Sequence, residues 1–154
     1  MQTPYRLRLR AFAVMTALIA ASTAGADPMP PADLAAIAAA SAAMPAQVHV
    51  ADIPASVRAI AFPYMVDPGQ RFQVTDTIVP GDNVPGGRLV WGVRIGRLYV
   101  LHSEYGGIAH GFQVRVYELN AAAAKQVWQS YGPAYPTFAA FKAALRSGRL
   151  NATP

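Results

Sequence analysis

The chain of 154 residues contains no cysteine. That excludes a disulfide framework, and it excludes a lipoprotein, since there is no thiol to acylate. Charge is sparse as well: 14% of the residues are Asp, Glu, Lys or Arg. No long basic run is present, so the footprint expected of a nucleic-acid binder is missing. The chain has no Walker loop, no GxSxG, no HExxH and no internal repeat. Gly86-Gly87 and Gly106-Gly107 therefore read as turn glycines rather than phosphate cradles. The apolar run Ala11 to Ala21, broken only by Thr16, is eleven residues long. A spanning helix needs about 20, so this run does not predict a retained anchor.

What is present at the start is a leader. Arg6, Arg8 and Arg10 precede the apolar run, and Ala24-Gly25-Ala26 follows it. A charged segment, an apolar segment and an A-x-A site in that order predict a signal peptide over 1–26, cleaved after Ala26. The expected location is periplasmic or secreted, with no stable membrane anchor after cleavage. Residues 27–154 suit one domain, burying about two-thirds of the surface of the unfolded chain. Removing the leader's three arginines leaves ten basic against eight acidic residues, a net charge of +2. The basic character of the whole chain thus belongs largely to the leader.

The clearest structural pattern runs from Arg88 to Leu119. Leu89, Trp91 and Val93 alternate with Arg88, Val90, Gly92 and Arg94, so the first set is expected on one face of a strand. Leu98 and Val100 continue it on a second run, and Phe112, Val114 and Val116 on a third. Glycines between β-branched, aromatic-rich runs predict an antiparallel meander. With Ile95-Gly96 as a two-residue loop, Val93 faces Leu98, Trp91 faces Val100 and Leu89 faces His102. A tight turn within Gly106-Gly107-Ile108 sets Glu104 against His110 and His102 against Phe112; a longer loop keeps the same faces.

Residues 27–50 read as a Pro/Ala-rich lead-in. It carries a short helix after Asp33, a plausible N-cap, with Leu34, Ile37, Ser41 and Met44 at helical spacing and Pro45 as its stop. Its apolar stripe is thin, so it is either loosely docked or a spacer. Val48-His49-Val50 can form a short strand. Residues 51–154 form the expected domain. Val57 to Val66 contains Pro63 and reads as an extended edge. Asp67-Pro68-Gly69 predicts a type II turn, Arg71 to Val79 a strand, and PGDNVPGG a surface loop. After Leu119, the segment from Lys125 to Tyr131 leans towards a last strand over a helix. Thr137 to Arg146 predicts a helix with Phe138, Phe141 and Leu145 on one side and Gly148 closing it. The fold class is α+β: an antiparallel sheet of four to five strands, with the C-terminal helix packed on one face.

Two constellations carry chemistry. His102 and Glu104, two apart on a strand, share a face ~6.6 Å apart. With His110 they make a candidate site for one divalent metal, the basis of a small metal-dependent enzyme. Ser103 lies between them on the opposite face, so no nucleophilic triad forms. The second constellation is the face away from Trp91, with Arg88, Arg94, Arg97, Tyr99, Arg115 and Tyr117. Arginine and tyrosine dominate interface hot spots, and arginine suits carboxylate or phosphate. Arg94 and Arg97 are expected as a cross-strand like-charge pair that an anionic partner would relieve. This face favours a non-enzymatic binding module without a cofactor. Its expected partner is a protein or an anionic small ligand in the envelope, and no nucleic acid. A structural or oligomerising role through a free sheet edge is the third reading.

Overall fold

The structure, a computed structural model, describes residues 28–61, 65–75, 84–148 and 150. The expected leader lies outside these residues, as do the expected strand beyond Thr75 and the first half of the PGDNVPGG loop. In chain order the described elements are α1 (Pro31–Ala39), a 3-10 turn (Val50–Asp52), α2 (Ala55–Ala61), β1 (Met65–Val66), β2 (Gly87–Ile95), β3 (Leu98–Tyr105), β4 (Gly111–Leu119), β5 (Ala124–Gly132) and α3 (Phe138–Arg146). The strands form one sheet in the order β1-β2-β3-β4-β5, antiparallel except for the β1–β2 pair. The class is α+β, and the segment from Ala124 is a strand.

The expected alternation in β2 holds only from Trp91 onward. Leu89 pairs with Ser103 and Trp91 with His102, so Val90 is an extra residue. Such a bulge reverses the faces of everything on its far side. Leu89 therefore joins Tyr99, Leu101 and Tyr117, while Trp91 and Val93 join Leu98, Val100, Val114 and Val116. Arg88 is turned by the same step towards Glu104, its partner across the pair. A second shift, between Val116 and Tyr117, leaves Val127 as the extra residue on β5.

The first hairpin turns at Gly96-Arg97 rather than Ile95-Gly96, because Ile95 pairs with Leu98. Gly96 has φ +56°, and no non-glycine residue among the described ones has positive φ. That is the II′ requirement, glycine at the first central position, and it fixes the loop one residue later than expected. The second loop is the longer alternative. Tyr105 pairs with Gly111, so His102 faces Val114 and Glu104 faces Phe112.

Both sides of the sheet are covered, by different elements. Phe138 and Phe141 of α3 pack with Trp91, at ring separations of 5.8 and 5.9 Å. Thr137 caps α3, its Oγ1 accepting from Ala140 N–H at 3.2 Å, and Gly148 closes it with φ +69°. α1 docks on the same side through Ile37, which is fully buried with Met29. Asp33 does not cap α1; Pro30 is the N-cap residue, and the Asp33 carboxylate is buried against Arg97. Lys142 Nζ donates to Ala40 O and Arg146 Nη2 to Ala38 O at 3.3 Å, placing cations at the carbonyl end of α1.

The opposite side is where the fold departs most from expectation. α2 occupies part of the segment read as an extended edge. Val57 and Ala61 recur at i and i+4 within α2, Ile53 at the end of the preceding 3-10 turn joins the same buried side, and Pro63 lies outside the described residues. All three pack on Leu89, Tyr99, Leu101 and Tyr117. The expected strand at Val48 to Val50 is reduced to one bridge, Gln47 to Gly92. Residues 71–75 form no strand; Gln73 N–H bonds to Pro85 O at 2.8 Å. The Asp67 turn is present, with Gly69 at φ +81° and Gln70 N–H on Asp67 O at 3.2 Å. Asp67 also accepts from Val50 N–H at 2.6 Å, a backbone bond that holds its carboxyl below the usual carboxylate range.

Candidate functional site

The Arg/Tyr face is not an open surface. Tyr99 and Tyr117 are 0% exposed. Burial beneath Ile53, Val57 and Ala61 raises both phenol pKa values; the nearby Asp52 charge adds to the rise at Tyr99, and Arg115 opposes it at Tyr117. These two tyrosines cannot meet a partner without the displacement of α2. The reason is local. An arginine-bearing strand face still carries Leu101 and two aromatic rings, and the apolar stripe on α2 removes them from water.

The arginines divide. Arg115 Nη1 donates to Ala61 O at 2.6 Å, and its Nε to Gln129 Oε1 at 3.2 Å, so it ties the end of α2 to the sheet. Arg97 sits in the hairpin turn and bonds Asp33 of α1 at 2.8 Å and Glu118 of β4. Arg94 lies opposite Tyr99, not Arg97, so the expected like-charge pair is not formed. Arg88, on the other side because of the bulge, forms an ion pair with Glu104.

Arg94 differs from the rest. It is exposed, and among the described residues its guanidinium makes one hydrogen bond, from Nε to Gly96 O at 3.3 Å. Among the described residues it meets no carboxylate. It lines an open groove of about 430 Å³ with Met44, Pro45, Ala46, Gln47 and Asp52. This wall is firmly placed. Gln47 N–H donates to Gly92 O at 2.7 Å and Gln47 O accepts from Gly92 N–H at 2.9 Å. Tyr99 Oη donates to Gln47 Oε1 at 2.6 Å. Gln47, Asp52 and the turn of chain before them were not among the expected site residues. The one signal for them was Gly92, a glycine inside an apolar strand, which marks close approach by another part of the chain.

The second constellation is only partly assembled. His110 Nε2 donates to Glu104 Oε1 at 2.7 Å, and Arg88 donates to Glu104 Oε2 from Nε at 2.9 Å and Nη2 at 2.5 Å. Glu104 is buried, while His110 is exposed. Phe72 lies under the Arg88 guanidinium, 4.7 Å from its carbon. His102 does not join them. Its Nδ1 donates to Gln113 O at 2.9 Å, and its Nε2 accepts from Tyr135 N–H at 3.0 Å. Both ring nitrogens are committed to backbone, so no lone pair is left for a metal. Burial pushes the His102 pKa down, against the Gln113 hydrogen bond and the Glu104 charge. Trp91 Nε1 donates to Tyr135 O at 2.7 Å, and the Trp91 and His102 rings stand 5.2 Å apart. His102 is thus a bolt between the sheet and the segment leading into α3. The expected three-ligand set of His102, Glu104 and His110 is not brought together. No group of three His, Cys, Asp or Glu among the described residues stands close enough to hold a metal ion.

No helix among the described residues is long and apolar enough to cross a membrane. Comparison with known proteins adds no assignment: no family model, no curated protein and no solved structure matches the chain.

Proposed function

We propose that the protein is an exported, non-enzymatic binding module, periplasmic or secreted, that takes a ligand in the groove beside Arg94. One observation carries the reading: an exposed guanidinium, with no carboxylate partner among the described residues, lines a groove whose wall is pinned to the edge of β2. Binding through the whole Arg/Tyr face is replaced by binding at one end of it, since Tyr99 and Tyr117 support the fold and Arg97 and Arg115 are held by internal partners. Arginine in such a place suits a carboxylate or another anion. A catalytic role has less support. The Glu104–His110 pair has no metal partner in His102, and Ser103 lies on the other face from His102.

The experiment is a titration of isotope-labelled protein with a size-fractionated envelope extract, read by amide NMR. Signals of Gln47, Gly92 and Arg94 move in the wild type and stay still in Arg94→Glu. Undiminished movement in Arg94→Glu, or no movement near the groove in either protein, ends the reading.

A further inference from the structure

We propose that the groove recognises a small zwitterion of the α-amino-acid type, its carboxylate on Arg94 and its ammonium on Asp52. This rests on the binding reading above and adds the ligand's chemical class. The argument begins with two opposite charges that share one cavity. Arg94 and Asp52 both line the groove, both are exposed, and they form no ion pair with each other. Arg88, Arg97 and Arg115 all have partners on other elements, so of the four arginines in the expected binding constellation Arg94 is the one that meets no carboxylate or distant element among the described residues. An exposed guanidinium and an exposed carboxylate that line one groove without pairing match a ligand carrying the reverse arrangement.

The neighbouring donors favour the carboxylate on the Arg94 side. Tyr99 donates to Gln47 Oε1, which assigns the amide and leaves its Nε2 as a further donor in the wall. Gly92 directs its N–H and C=O outward to Gln47. In an antiparallel pair that direction alternates, so Arg94, two residues on, directs its own backbone N–H to the same edge. Pro45 lines the groove beside it and has no N–H. Arg94 and Gln47 thus bring donors to the groove, and Asp52 supplies the acceptor. Met44, Pro45 and Ala46 add an apolar wall for a side chain. A volume of about 430 Å³ is ample for an amino acid.

The test uses three probes: L-leucine, and two that each lack one of its charges, N-acetyl-L-leucine without the ammonium and L-leucinamide without the carboxylate. Each is titrated against the purified protein, with amide NMR reporting Gln47, Gly92 and Arg94. L-leucine moves these signals. Each blocked probe binds weaker by about tenfold or more, the loss of one charge-assisted contact. Asp52→Asn removes the preference over N-acetyl-L-leucine, and Arg94→Gln removes the preference over L-leucinamide. If N-acetyl-L-leucine binds as well as L-leucine and Asp52→Asn changes nothing, the zwitterion is overturned while anion binding at Arg94 stands. If no probe moves the groove signals of the wild type, the inference fails, and the extract titration decides the wider reading separately.

Discussion

Replacing Gly92 by alanine sets a methyl group where the Tyr99 ring already lies. A Cβ at this position would be 2.1 Å from Tyr99 Oη and 2.8 Å from Cζ. The ring cannot swing away freely: it is fully buried under α2 and holds Gln47 by a 2.6 Å hydrogen bond. Forcing it aside costs about 1–3 kcal/mol in repacking. Breaking the Gln47 bond adds about 1 kcal/mol. The expected total, roughly 2–4 kcal/mol, lowers Tm by roughly 8–16 °C at about 4 °C per kcal/mol. Urea unfolding measures the free energy, and a double-mutant cycle supplies the control. Tyr99→Leu removes Oη and Cζ, so the new methyl group has room. In that background Gly92→Ala is neutral or stabilising by up to about 1 kcal/mol, because alanine loses less entropy than glycine in a strand. An equal cost in both backgrounds refutes the account, since the ring is then not the obstacle.

Three further outcomes follow from the same contacts. Arg97→Ala leaves the Asp33 carboxylate, 6% exposed, without its 2.8 Å partner, a loss of about 1–3 kcal/mol by urea unfolding, since Arg97 itself is half in solvent. Asp33→Asn added to Arg97→Ala recovers part of that loss; no recovery removes the ion pair as its cause. His102 is neutral in the fold and its pKa is lowered by burial, so the unfolded chain binds a proton first as pH falls below about 6.5. Stability then declines from pH 7 towards pH 5. His102→Gln flattens that decline, and equal slopes in the two proteins remove His102 as its source. Excess zinc produces no rise in Tm in calorimetry, because both His102 nitrogens are occupied by backbone; a rise abolished by His110→Ala restores the metal site.

The sequence by itself determined the meander strands β2 to β4, the faces of most of their residues, the lean of the Lys125 segment towards a last strand, and the C-terminal helix; the strands expected at Arg71 and Val48 did not form among the described residues. Those features rest on side-chain periodicity, which depends only on backbone geometry. Phe138 and Phe141 lie against Trp91 because a period of 3.6 puts them on one side of a helix. Alternation put Tyr99, Leu101 and Tyr117 together in the same way. Val57 and Ala61 also carried a readable helical spacing, which Pro63 obscured.

Tertiary structure alone decided which surfaces stay open. No local pattern in Arg88 to Trp91 reports that Val90 bulges and sends Leu89 and Arg88 to exchanged faces. Nor does one report that α2 closes over the tyrosines, that Asp33 reaches Arg97 across 64 positions, or that Tyr135 takes the free nitrogen of His102. Burial of a sheet face depends on what a distant segment can cover, and a hydrogen-bonding group is available only if nothing remote has claimed it. That is why Arg94 and Asp52, separated by 42 positions along the chain, come to share one groove.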